Sequence, residues 1–151
     1  MRDVAELKIS FPGILRQRGA PSEAQYTIVE QRVCCPLPLD YKAFLGKQNG
    51  GAPEIGFLDT GDDAFQIECF NYIDGSKRDI YDVEKASEWP SRDLREEVVA
   101  VAPDGSGDQL VLRRVGDNWQ VAWWRHDMGT CEQVATSFSE LLDRLTAPPD
   151  E

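Results

Sequence analysis

A catalyst needs a nucleophile, a base or a metal site, and few side chains here can supply one. His126 is the single histidine of the chain, so no site with two imidazole ligands can be built. A Cys–His pair joining His126 to Cys131 or Cys69 stays open on spacing alone, because such partners meet only in the fold. Nothing in the local sequence supports that pair. A lone histidine at the end of a Trp-rich strand is more often packed or hydrogen-bonded than catalytic. Gly105-Ser106-Gly107-Asp108 has the look of a glycine-rich phosphate cradle. Such a loop runs from a strand into a helix and usually carries a lysine. Here the glycines lead into Gln109-Leu110-Val111-Leu112, a strand, so a tight hairpin is the better reading. The cysteines Cys34, Cys35, Cys69 and Cys131 match no zinc spacing, and a disulfide between the neighbours Cys34 and Cys35 would be strained. Reduced thiols are expected. The sequence assigns no catalytic residue, no metal and no cofactor, and a protein that is not an enzyme is expected.

Acidity is what the chain has in excess. Sixteen Lys and Arg against 27 Asp and Glu give a net charge of −11. Such a surface repels nucleic acid and anionic membranes and speeds association with basic partners. The same excess also serves plain solubility. Glu54, Asp59, Asp62, Asp63 and Glu68 form the clearest cluster, since residues 54 to 68 contain no Lys or Arg. Three readings compete for it: a solvated loop, a docking surface for a basic partner, and a calcium site. For calcium, Asp59-Thr60-Gly61-Asp62-Asp63 only grazes the alternate ligand spacing of a recognised loop. No apolar run approaches the roughly 18 residues that span a bilayer. Met1–Glu6 shows neither a cationic leader nor an apolar secretion core, so a cytoplasmic protein is expected.

The elements that must position these residues follow from period and caps. A length of 151 residues, 41% hydrophobic and 28% charged, suits one soluble globular domain. Ser22 and Gln25 have the form of a capping box opening a helix with Tyr26, Val29 and Val33 on one face. A short strand or arm over Leu7–Phe11 precedes it. Pro38 and Asp40 open a second helix, with Leu37, Tyr41, Phe44 and Leu45 as its buried stripe. Asn49-Gly50-Gly51 ends it, because Gly and Asn accept left-handed backbone. The period then drops to two. Phe65–Phe70, Val98–Ala102, Leu110–Val115 and Trp119–Trp124 read as strands of an antiparallel meander. Ser137 and Glu140 cap a last helix lined by Phe138, Leu141, Leu142 and Leu145. Asp79–Trp89 fits a short helix or a loop. Trp119 and Trp123 share one strand face and Trp124 takes the other, where coverage by a helix is favoured over exposure. The fold class is therefore α+β, an antiparallel or mixed sheet with helices packed on one side. Its expected divisions are an arm over 1–21, the domain over 22–146 and a flexible tail over 147–151.

These segments also resemble a known family. Leu37-Pro38-Leu39-Asp40-Tyr41-Lys42-Ala43-Phe44-Leu45 followed by Asn49-Gly50-Gly51-Ala52-Pro53 closely resembles the signature of the SUKH superfamily, in the branch named for fungal cell-wall regulators. Ala102–Asp108 is similar to that family's glycine turn, Val121–Asp127 to its aromatic strand with a His-acidic end, and Val134–Leu142 to its closing helix. The resemblance covers about residues 22–146. It implies an α+β domain without catalytic residues. It further implies an immunity protein that binds and neutralises a cognate protein toxin, frequently a nuclease; the alternative is a housekeeping scaffold or regulatory protein-binding module. Leu37, Pro38, Tyr41, Phe44, Asn49, Gly50, Gly51, Gly107, Asp108, Trp124, His126, Ser137 and Phe138 then take structural roles. The N-terminal arm and Cys34-Cys35 depart from the pattern, and the oligomeric state is left open.

Overall fold

A computed structural model describes residues 1–150; Glu151, the last residue of the expected tail, lies outside them. Helix α1 spans Glu23–Val33 and opens as its sequence requires. Ser22 Oγ accepts from the Gln25 N–H at 3.2 Å, and Gln25 Oε1 accepts from the Ser22 N–H at 2.9 Å. That reciprocal pair satisfies two donors a helix start would leave free. Helix α2, Leu39–Lys47, buries Tyr41, Phe44 and Leu45. Its end differs in detail from expectation. Gln48 caps it in an extended conformation, and the left-handed glycines follow two residues later. Gly51, at φ 103°, turns the chain into strand β2 (Ala52–Pro53). A Cβ there would lie 2.4 Å from the Ile9 side chain, on strand β1 (Ile9–Ser10), so the position is closed to larger residues. Buried Asn49 joins three segments. Its amide donates to Gly19 O and Ile73 O, and its oxygen accepts from the Ile73 N–H.

Four strands form the main sheet: β5 (Val99–Pro103), β6 (Gln109–Val115), β7 (Asn118–Arg125) and β8 (Thr130–Ala135), in that order and all antiparallel. A smaller ladder pairs β3 (Phe57–Asp59) with β4 (Ala64–Gln66), and β1 pairs with β2. The strand expected over Phe65–Phe70 is shorter than its alternation suggests. Pairing stops at Gln66, although burial alternates on to Cys69. The extended stretch beyond hands its N–H groups to several partners: Ile67 to Gly56 O, Glu68 to Pro103 O, Phe70 to Gly51 O and Asn71 to Val101 O. Strand β8 carried no periodic signal, since only Val134 and Ala135 of it are buried.

Helices cover both faces of the main sheet, which corrects the one-sided packing expected. Helix α3 (Val83–Leu94) takes up the undecided stretch from Val83 onward and runs past it, after a turn over residues 79–82; α4 spans Phe138–Arg144. On one face Val99, Val101, Leu110, Leu112, Val121 and Trp123 join residues of α1, α2 and α4 in the larger core. On the other, Val98, Ala100, Val111, Ala122 and Trp124 form a second core, against which Ala86 and Leu94 of α3 pack. The reason is visible in β5, whose five residues are all buried: a strand apolar on both faces needs a cover on each. Trp124 is thus covered by a helix. Two serines one turn apart on α3 also satisfy the outer edge of β5. Ser87 Oγ accepts from the Ala100 N–H at 2.9 Å, and Ser91 Oγ accepts from the Val98 N–H at 3.1 Å. An edge so occupied offers no template for further strands.

Residues 1–21 are bound into this frame. Val4 and Leu7 are buried in the larger core, and the Arg2 guanidinium donates to Leu142 O and Leu145 O at the end of α4, where the helix dipole favours a cation. Arg18 pairs with Asp74 at 2.9 Å and lies over the Tyr72 ring.

Candidate partner-binding surface

All five acids of the predicted cluster are exposed, but the fold divides them among three places. Glu54 sits beside the β1–β2 ladder, its N–H bonded to Lys8 O. Glu68 stands at the turn between β5 and β6, accepting from the Tyr81 hydroxyl at 2.8 Å. Only Asp59, Asp62 and Asp63 stay together, on the turn between β3 and β4. That turn is held firmly. Asp59 Oδ1 accepts from the Gly61 N–H and Asp63 Oδ1 from the Ala64 N–H, both at 2.8 Å, and Thr60 bonds to Asp63 O through N–H and hydroxyl.

The same turn has neighbours the chain order conceals. It shares a polar hollow of about 270 Å³ with Arg125, Glu132 and Arg144. Arg125 bridges Asp63 at 3.3 Å and Glu132 at 3.1 Å while its guanidinium covers the Trp123 ring; its charge is favoured by both acids, outweighing desolvation. Arg144 donates to Val134 O and to Asp59 O. Two cations therefore stand among five carboxylates, since Arg144 also meets Glu140 at 3.8 Å. Asp59 and Asp62 keep theirs free of any Lys or Arg among the described residues. The absence of cations from residues 54 to 68 could not reveal either arginine, which arrive from β7 and α4.

A different corner gathers the glycine turn, the histidine and the tryptophans. Asp108 is nearly enclosed, and its carboxylate accepts from Trp123 Nε1 at 2.9 Å and from the His126 N–H at 3.0 Å. His126 Nδ1 lies 2.5 Å from the same carboxylate. Burial pushes Asp108 upward, but these hydrogen bonds win and hold it below the usual carboxylate range; the bond to Asp108 in turn raises His126. Gly107, at φ 119°, lies so close that a Cβ would stand 3.0 Å from the imidazole. These residues lock the β5–β6 turn to the end of β7.

That bonding turns the polar atoms of this corner on one another. Asp108, His126 and Asp127 bring ligand atoms within 4.8 Å of one another. Two ligands about 2.1 Å from one ion stand about 3 Å or more apart, whereas the Nδ1–Oδ1 separation is that of a hydrogen bond. A thiol nucleophile needs a lowered pKa. Burial instead pushes Cys69 up to about 12 and raises Cys131.

Of the residues given structural roles, Leu37, Tyr41, Phe44, Trp124 and Phe138 are core, Asn49 is a buried tie and Pro38 precedes α2. Gly50, like Gly51, has a positive φ. Ser137 caps α4, accepting from the Glu140 N–H at 3.0 Å, although the Glu140 carboxylate turns to Thr136 rather than closing a box. Sequence reasoning missed Trp89, which lies 55% exposed on α3 and meets the rings of Trp124 and His126 edge-on at 5.4 and 5.7 Å.

Comparison with known proteins adds two findings. The model of the SMI1 / KNR4 family (SUKH-1) matches residues 20–144. No curated protein matches the chain.

Proposed function

We propose that this chain, which belongs to the SMI1 / KNR4 family (SUKH-1), is an immunity protein that neutralises a cognate protein toxin by stoichiometric binding. The observation that carries the reading is the family match across residues 20–144. Charge supports the finer part of it. A nuclease toxin must display positive charge to hold phosphates, and a binder of net charge −11 meets such a surface with a complementary field. The turn bearing Asp59, Asp62 and Asp63 suits the task. Its backbone is fixed by its own side chains, so little order is lost on docking, and two of its carboxylates pair with no Lys or Arg among the described residues. On this reading the protein blocks the toxin's active site or substrate path and performs no bond-making itself.

Co-expression with the product of the adjacent gene tests this. Protection from toxicity and recovery of a one-to-one complex are expected. With Asp59, Asp62 and Asp63 all changed to Lys, affinity should fall about tenfold or more, since close interfacial charge pairs are worth some 1.5 kcal/mol upward. A stable complex with a non-toxic cellular protein and no protection would favour the scaffold alternative. Unchanged affinity in the triple variant would remove the turn from the docking face.

A further inference from the structure

Trp89 and Ile80 are large apolar side chains left 55% and 63% exposed, and they line one groove. It measures about 400 Å³ and runs between α3 and the β5–β6 turn, where Gly107 and Gln109 form its far wall. Past Ile80 it continues into a second hollow of about 220 Å³ that ends on Glu68, Tyr81 and Pro103. Its walls are rigid. Trp89 packs edge-on against Trp124, whose indole donates to Asp93 at 2.8 Å, and against His126, which Asp108 holds. Gly105 and Gly107 keep the wall low, since a side chain at 107 would strike the imidazole. An exposed aromatic fixed by its neighbours beside a groove is how anchor points of protein interfaces are built.

Charge is distributed unequally along the groove. At the Pro103 end stands Glu68, which pairs with no Lys or Arg among the described residues; its partner is the Tyr81 hydroxyl. On the α3 wall Lys85 and Glu88 cancel at 3.3 Å, leaving Arg92 as the cation of the lining with no acidic partner among the described residues. One end is thus acidic, the middle apolar and the other end basic.

We infer that this groove is the anchor site for a basic loop of the partner protein. A large apolar side chain seats against Trp89 and Ile80, and an adjoining Arg or Lys faces Glu68, away from Arg92. The inference rests on the reading of the chain as a binder of a basic protein, and adds the point at which that protein is gripped. It also gives Glu68 a role separate from the Asp59–Asp63 turn.

The test uses synthetic acetyl-Arg-Leu-amide against the full chain labelled with nitrogen-15, with acetyl-Glu-Leu-amide as the control. The expected result is a saturable shift of the Trp89 indole resonance and of amides around Ile80 and Glu68, with the basic peptide only. Trp89→Ala and Ile80→Ala should each weaken it about tenfold or more, as anchor truncations do, and Glu68→Lys should do the same. Asp117→Lys, an equal charge change at the distant β6–β7 turn, should leave it unaltered. Shifts confined to the Asp59–Asp63 turn, equal binding of the acidic peptide, or undiminished binding by Trp89→Ala would overturn the groove. The peptide assay needs no toxin, so it stands apart from the immunity reading. A toxin bound equally well by Trp89→Ala would remove the groove alone, while loss of protection with peptide binding intact would remove the immunity reading alone.

Discussion

The turn between β3 and β4 and the groove beside α3 are built in opposite ways. The turn is one run of chain, acidic in sequence and bonded mostly to itself. The groove is drawn from four separated segments: the stretch from Glu68 to Ile80, α3, the β5–β6 turn and the end of β7. The fold also treats their charges differently. Arg125 and Arg144 enter the acidic turn from far along the chain and offset part of it, while Glu68 is carried away from its sequence neighbours to the end of an apolar groove. Charge counts along a chain therefore locate acidic residues well and acidic surfaces poorly. A surface field belongs to whatever the fold brings alongside.

The comparison can be broken most severely from below. Trp124 is fully buried beneath α3 and supports Trp89. Trp124→Ala should cost about 3–5 kcal/mol, read as a lower urea midpoint, and should abolish the groove with it. Trp89→Ala, half-exposed on the same stack, should change stability by no more than about 1 kcal/mol. Equal losses would mean that Trp89 is core rather than surface.

Gly107→Ala comes next. The new methyl meets both a strained φ and the imidazole, so about 1–3 kcal/mol should be lost, with displaced His126 resonances as its signature. Wild-type stability in that variant would show that the turn is not locked to β7.

A pH series sharpens the same point. Asp108 is held below its ordinary value, so its contribution is present above the unfolded carboxylate range and is lost as pH falls through the lowered folded value. His126 is raised, so its contribution is full below about 6.5, the unfolded histidine value, and is lost as pH rises through the raised folded one. Asp108→Asn should flatten both limbs of the denaturation midpoint plotted against pH. A profile unchanged by that substitution would dissolve the pair.

The smallest stability effect belongs to the acidic turn. Reversing Asp59, Asp62 and Asp63 together should lower stability by no more than about 1 kcal/mol, since what is lost is the exposed bonds to the Gly61 and Ala64 N–H groups and the Arg125 bridge. A large loss would mean that the turn serves the fold first and a partner second.

How much of this was legible follows from where each signal resides. Ser22 and Ser137 cap their helices at the places read for them, because a cap is a local contract between neighbours, and α2 opens on Pro38 as read, without a side-chain bond at its cap. Trp124 on the face opposite Trp123 already called for a helical cover. Helix α3 supplies it, but the sequence around Asp79–Trp89 left helix and loop undecided. Pro90 within it and the burial of Ser87 and Ser91, which serve the edge of β5, weaken the usual apolar stripe. Strand β8 escaped because an edge strand with two buried residues has no alternation to show. Of the candidate surface, the acids could be read and their separation could not. Trp89, the groove and the intruding arginines are products of tertiary contact.

The most direct test of the account is the salt dependence of association between this protein and the toxin proposed as its partner. Stopped-flow mixing should give an association rate that falls steeply as salt rises, and a shallower fall once Asp59, Asp62 and Asp63 are reversed. An association rate indifferent to salt, with identical behaviour in the reversed variant, would contradict the claim that an acidic face guides this protein onto a basic partner.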